Sequence, residues 1–273
     1  MTLKSDESRR ESRAYWGDLW SAARGNEPHD TWYAIDETKL SYLKPYLPES
    51  GRCLEVGCGS ARLSRFLARL GFQAVGIDYE PAAIRLATGR SRDDGVEMAL
   101  LLGDAFALPF ATGSFDVVLS TGLLEHFADP SSIVAEMTRV LRPGGVFYSD
   151  IVPKKFALMR SFKALRLRRG AWERPFTRQQ IAELLEQSGL SVRTVFAAGI
   201  FPPMLPLVGR SRLLARIQDK TLTTFGRPAR VFDGTKAAEL LGLYYFACAT
   251  KPNSASRRRL AATEGAQKGE AAA

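Results

Sequence analysis

Gly57 and Gly59 stand in Arg52-Cys53-Leu54-Glu55-Val56-Gly57-Cys58-Gly59-Ser60-Ala61-Arg62-Leu63, where a short apolar run passes through a glycine turn into a helix start. Lacking a Cβ, both let the chain turn sharply and bring backbone N–H groups close to a ligand, so the turn reads as a cradle. Gln73-Ala74-Val75-Gly76-Ile77-Asp78 is a second apolar run, and its terminal carboxylate is suited to accept hydrogen bonds from two ribose hydroxyls. A nicotinamide dinucleotide would require a third glycine where Arg62 stands, and a long charged side chain there obstructs close helix–strand packing. His126, one of two histidines, follows the apolar run Phe115 to Thr121 and is the candidate general base.

These residues need strands that end together. Ser60 is expected to cap a helix with Leu63, Phe66, Leu67 and Leu70 on one face and Gly71 at its end. Glu80-Pro81 opens the next helix, running to about Gly89. Met98 to Leu102 and Phe115 to Thr121 read as strands buried on both faces of a parallel sheet. Asp129-Pro130 starts a helix carrying Ile133, Met137, Val140 and Leu141, closed by Arg142-Pro143-Gly144-Gly145 before a strand at Val146 to Val152. Thr177 and Gln180 form a capping box, and Leu190, Val192, Thr194 and Phe196 alternate along a further strand. Leu243 to Thr250 is the last strand. The alternation predicts an α/β fold, a doubly wound and mostly parallel sheet with its ligand crevice at the carboxyl ends of the strands.

Leu54-Glu55-Val56-Gly57-Cys58-Gly59, Gly76-Ile77-Asp78, Gly103-Asp104-Ala105 and Phe115-Asp116-Val117-Val118 are similar in type, order and spacing to the class I S-adenosylmethionine-dependent methyltransferases. Leu123-Leu124-Glu125-His126-Phe127, Asp129-Pro130 and Leu141-Arg142-Pro143-Gly144-Gly145 extend the resemblance to the methyltransferase type 11 group, over about residues 51 to 152. The resemblance implies a seven-stranded Rossmann-like sheet whose last strand runs antiparallel, with S-adenosylmethionine as cofactor. It implies that Gly57, Cys58 and Gly59 pass close to the methionine half, with Glu55 reaching it directly or through water. Asp78 would hold the ribose, Asp104 would accept from the adenine amino group, and Tyr79 and Ala105 would flank adenine or ribose, with Thr121 completing the set. An acceptor atom then attacks the sulfonium methyl in line, and a base is needed only if the acceptor must lose a proton. The family's Glu-His pair often organises its loop instead of touching acceptor, so base and loop organiser both stand as readings of His126.

The chain has 273 residues, 45% of them apolar, enough for one large α/β domain. Its apolar runs are strand-length and its N-terminus is charged, so neither a membrane span nor a secretory signal is expected, and the expected location is cytoplasmic. Cys53, Cys58 and Cys248 lack metal or cluster spacing, and no metal is expected. Residues 1 to 50 are expected to form an N-terminal helical lid, 51 to 252 the cofactor-binding domain and 253 to 273 a disordered tail, with tail-like composition setting in from Lys251. Tyr15, Trp16, Trp20, Trp32 and Tyr33 serve either that lid or packing on the sheet.

The charge is uneven. Of a net +9, residues 153 to 236 carry 17 cations and 5 anions, or +12. Insertions at 153 to 176 and 200 to 242 are expected to form a basic, largely helical cap that selects the acceptor. Arg212, Arg216 and Lys220 stack beside Leu213, Leu214 and Ile217, which would suit peripheral membrane contact through residues 200 to 236. The expected function is methyl transfer to O, N or C of a small lipophilic or anionic acceptor. The competing functions are nucleic-acid methylation and cofactor binding without turnover. The first is disfavoured because Ser120-Thr121-Gly122-Leu123 stands where many base-modifying relatives carry an Asn/Asp-Pro-Pro-Tyr motif.

Overall fold

The computed structural model describes residues 15–21, 29–152, 173–199, 220, 224 and 228–253. Seven strands form one sheet: β1 (Arg52–Val56), β2 (Gln73–Asp78), β3 (Met98–Leu102), β4 (Phe115–Thr121), β5 (Leu141–Ile151), β6 (Ser191–Ala198) and β7 (Tyr244–Thr250). Their order is β3-β2-β1-β4-β5-β7-β6. The first five run parallel, and β7 lies antiparallel between β5 and β6. The chain winds outward through β2 and β3, then returns to the other side of β1 with β4. The crevice of such a sheet lies where the winding reverses, outside the carboxyl ends of β1 and β4.

Alternate side chains along each strand enter cores on opposite faces, because successive Cβ atoms point to opposite sides of the sheet. Leu54, Val56 and Val118 join one core with Ile133, Val134 and Met137 of α4 (Ser131–Val140) and Ile181 and Leu185 of α5 (Arg178–Gln187). Cys53, Val117, Leu119 and Tyr148 join the other. There they meet Ile35, Leu40 and Leu43 of α1 (His29–Leu43) and Leu63 and Leu67 of α2 (Arg62–Arg69). A third helix, α3 (Pro81–Asp93), packs Ala87 against Cys58 and Ala61. The N-terminal region is therefore divided: α1 is a layer of the sheet, and the helical segment 15–21 lies elsewhere, over the crevice.

Several local expectations are corrected. Ser60 does not cap α2: the N-cap is Ala61, held left-handed at φ 58° without a side-chain cap bond. The Pro81 helix continues through Gly89 to Asp93 and stops at Gly95, whose φ of 65° no Cβ-bearing residue adopts cheaply. β3 is only partly buried, because it is an edge strand; Leu102 is 59% exposed. β5 begins at Leu141, so Arg142-Pro143-Gly144-Gly145 lies within an irregular strand start and not before it.

In β6 a bulge between Val192 and Thr194 shifts the alternation. Val192, Val195 and Ala197 face one core, and Phe196 and Ala198 the other. Lys251 belongs to the fold, not to a tail: its Nζ donates to the carbonyls of Thr138, Arg139 and Leu141 at 2.7, 3.3 and 2.6 Å, where a cation meets the carboxyl end of α4.

Of the 153–176 insertion, Phe176 is 1% exposed in the core and Arg174 donates to the Ala128 carbonyl at 2.5 Å. Of the 200–242 insertion, the turn Arg230–Phe232 and α6 (Lys236–Leu241) bracket the end of β6. Arg212 and Arg216 of the expected stripe, with its apolar neighbours, lie outside the described residues, as do the side chains of Trp32 and Tyr33.

Candidate active site

The glycine turn after β1 takes its shape from two left-handed residues, Gly57 at φ 64° and Gly59 at φ 53°. A Cβ on Gly57 would lie 2.6 Å from Cδ1 of Leu123, and one on Gly59 would lie 2.6 Å from the Trp20 ring. The turn therefore tolerates only glycine at these two points, and no side chain of its own stands over the backbone.

Asp78 closes β2 beside it. Its Oδ2 accepts from the Gly59 N–H at 2.8 Å and its Oδ1 from the Glu80 N–H at 2.9 Å. Burial raises its pKa, opposed by those N–H donors. The carboxylate is thus fixed by the backbone while retaining lone pairs for further donors. Asp104 follows β3 in a turn closed by its own Oδ1, which accepts from the Phe106 N–H at 3.0 Å.

Gly57, Asp78, Tyr79, Asp104, Ala105 and His126 all line one pocket at the carboxyl ends of β1 to β4. Val56, Phe106, Leu123 and Phe127 supply apolar wall that sequence reasoning did not assign to the site, with Phe106 and Phe127 edge to face at 5.3 Å. A usable signal was present, since Phe106 and Phe127 directly flank the Asp104-Ala105 and Glu125-His126 pairs.

Glu55, Cys58 and Thr121 do not line this pocket. Glu55 is 1% exposed; its Oε2 accepts from the Ser64 N–H at 2.9 Å and from the Ser64 hydroxyl, and its Oε1 accepts from Thr121 at 3.2 Å. Burial raises its pKa against these donors. It ties α2 to the end of β4. Cys58 turns inward: a Cβ on Gly76 would sit 3.0 Å from its sulfur, and burial holds its thiol well above the ordinary range, so it stays protonated. Gly59 meets Asp78 and Trp20 at the margin of the pocket.

The segment 15–21 reaches the same place. The Trp16 ring is edge to face with His126 at 5.0 Å, and Trp20 lies stacked on Trp16 at 6.1 Å. Of the two readings of the N-terminal aromatics, Trp16 and Trp20 take the crevice side.

Beneath the loop after β4 runs a chain of buried charges. Arg62 meets Asp36 at 2.8 Å, Lys39 lies 3.8 Å from Asp36 and 2.9 Å from Asp150, and Asp150 Oδ1 accepts from the Gly122 N–H at 3.1 Å. Burial alone would lower the Lys39 pKa, but Asp150 and Asp36 raise it further, so it remains a cation. Tyr148 donates to the other Asp150 oxygen at 3.2 Å.

Glu125 lies in the same loop at 1% exposure, and its Oε2 has no hydrogen-bond partner. Burial is the main reason its pKa rises to about 8. An unfolded glutamate titrates near about 4.3, so the folded chain holds the extra proton between the two values and loses stability as pH rises from about 4.3 to 8. Urea unfolding at pH 5.5 and 8.5 is expected to show a smaller free energy at the higher pH, and Glu125→Gln is expected to flatten that decline.

Among the described residues, no cluster of His, Cys, Asp and Glu is arranged to hold a metal ion. A family described as a methyltransferase domain matches residues 54–149. A ubiquinone biosynthesis O-methyltransferase of Xanthomonas axonopodis pv. citri is 35% identical over 144 residues, covering 51% of this chain and 59% of that relative. The chain thus spans little more than half the length of that relative. Among solved structures, a SAM-dependent methyltransferase from Methanosarcina mazei superposes with TM-score 0.56 at 23% identity, over 77% of this chain and 97% of that one. The [4+2]-cyclase SpnF superposes with TM-score 0.54 at 19% identity, over 80% of each chain. At such identities the likeness is one of fold, and a cyclase among them shows that chemistry must be argued from the site.

Proposed function

We propose that this chain carries a class I S-adenosylmethionine-dependent methyltransferase domain of the type 11 kind and methylates a hydroxyl oxygen of a small lipophilic acceptor. The observation that carries this reading is the convergence of Gly57, Asp78, Asp104 and His126 on one pocket at the strand ends. Support for oxygen as the methylated atom and for a lipophilic acceptor comes from the relatives named ubiquinone biosynthesis O-methyltransferase.

The turn at Gly57 and Gly59, left-handed at both glycines, suits the methionine half of the cofactor, and Asp78, already oriented by two backbone N–H groups, suits the ribose hydroxyls. Asp104 is assigned to the adenine amino group, with Tyr79 and Ala105 beside the ring. S-adenosylmethionine supplies an electrophilic methyl on a sulfonium sulfur. What the protein adds is chiefly position, holding the acceptor oxygen about 3 Å from that carbon and in line with it.

Leu123, Phe106 and Phe127 exclude water from one side, and the 15–21 segment covers the other through Trp16 and Trp20. To His126, which lines the pocket, falls the role of taking the hydroxyl proton as the oxygen attacks. Glu55, Cys58 and Thr121 are given a supporting role, because their polar atoms are engaged behind the turn.

The test is to incubate the protein with S-adenosylmethionine and two sets of phenols, one bearing long hydrocarbon tails and one without, and to measure S-adenosylhomocysteine. Turnover confined to the tailed phenols is the expected result. Cofactor binding with no turnover on either set, alongside activity on an amine, would overturn the oxygen assignment.

A further inference from the structure

At the carboxyl end of β6, four large apolar side chains within eleven residues face solvent: Val231 at 74% exposure, Phe232 at 50%, Leu240 at 65% and Leu241 at 56%. They belong to one patch. Asp233, next to Phe232, accepts from the Gly199 N–H at 2.9 Å, and a Cβ on Gly242, next to Leu241, would lie 2.8 Å from the Ala198 carbonyl. Both pairs are therefore pinned to the same strand end, the second pair being the last two residues of a six-residue helix about 9 Å long.

The acids of this stretch are turned inward. Asp233 accepts from Tyr42 at 2.5 Å as well as from Gly199, and Glu239 accepts from Tyr245 at 2.8 Å. Lys236, by contrast, is exposed among the apolar side chains. The surface that remains is apolar with a positive charge, at the end of a segment, 153 to 236, that carries net +12. Four such side chains close together mark a surface that takes an apolar partner. Exposed apolar side chains beside Lys236, in a sequence segment of net +12, are what an anionic bilayer accommodates, the first among the acyl chains and the cations at the headgroups.

The position on the sheet matters too. Both β5 and β6 are antiparallel to β7, so β6 runs parallel to the central strands and its carboxyl end lies on the same side as the pocket. Three strand spacings separate β6 from β4, or about 14 Å. We propose that this rim, through Val231, Phe232, Leu240 and Leu241, docks the protein on an anionic phospholipid surface, with the mouth of the pocket turned toward the lipid. The docking surface does not depend on which acceptor the pocket takes.

The test is co-sedimentation of the full chain with vesicles of phosphatidylcholine alone and of phosphatidylcholine with phosphatidylglycerol, at low and at 0.5 M salt, a range over which exposed charges become screened. Binding is expected only to the phosphatidylglycerol vesicles and to weaken with salt. The variant Val231→Ser, Phe232→Ser, Leu240→Ser, Leu241→Ser should lose at least tenfold in vesicle affinity. Its S-adenosylmethionine affinity should be unchanged, which reports that it is folded and separates this result from failure of the methyltransferase reading. A second variant, Phe232→Trp, should shift its emission to the blue on adding the anionic vesicles. Absence of binding to phosphatidylglycerol vesicles at low salt, equal binding by the folded quadruple variant, or a concentration-dependent dimer abolished by that variant without lipid binding would each overturn the proposal.

Discussion

Lys39→Met is expected to destabilise the protein by about 3–5 kcal/mol, because it leaves two buried carboxylates facing each other without the cation between them. Lys39 and Asp150 have side chains 7% exposed and Asp36 is 2% exposed, so water cannot replace the lost ammonium. Arg62 offsets part of the loss at Asp36 but lies on its far side. The consequence reaches the pocket, since Asp150 also holds the Gly122 N–H at the start of the loop that carries His126. Urea unfolding followed by circular dichroism measures the loss. A triple variant that also carries Asp36→Asn and Asp150→Asn is expected to recover much of it, because the cost lies in the unpaired charges and not in the lysine itself. A single variant within 1 kcal/mol of the parent would show that this chain of charges is not what fixes α1 to the sheet.

His126→Ala is expected to lower kcat by about 10²- to 10⁴-fold on a phenolic acceptor, the usual contribution of a positioned general base. S-adenosylmethionine affinity should change little, since the turn and the two aspartates remain in place. The variant should also lose the acidic limb of the pH–rate profile that the parent displays, and an acceptor already ionised at the assay pH should restore much of the rate. Trp16 packs edge to face on this imidazole, so Trp16→Ala serves as the companion. A loss of cofactor affinity as large as the loss of rate in His126→Ala would instead make the histidine an organiser of its loop.

The cradle was legible because its marks are local. A glycine turn after an apolar run and an aspartate closing the next run need no knowledge of distant residues, and Gly57, Asp78 and Asp104 line one pocket. What the residues next to the turn do depends on contacts made elsewhere. Glu55 reads as a ligand residue by position, and the structure adds that its oxygens accept from Ser64 and Thr121, partners that the motif does not signal. Ser60 has the chemistry of a cap, yet the left-handed Ala61 starts the helix one residue later.

Strand position was equally hidden. Met98 to Leu102 has the composition of a central strand but lies at the sheet edge, and the β6 bulge reverses an alternation that the sequence shows as regular. The Lys39–Asp150 pair joins α1 to β5 across most of the domain, and nothing next to Asp36 and Lys39 in the sequence signals that partner. The aromatics at residues 15 to 20 announced that something had to be covered, and the Gly59 turn and His126 are what Trp20 and Trp16 cover.

Titration calorimetry with S-adenosylmethionine, on the parent and on Asp78→Ala, tests the account most directly. The parent is expected to bind one equivalent with micromolar-range affinity, and the variant to bind about 10- to 100-fold more weakly, as the loss of hydrogen bonds to a charged acceptor of about 1.5–3 kcal/mol implies. No binding by the folded parent, equal affinity in the variant, or preference for a nicotinamide dinucleotide would contradict it.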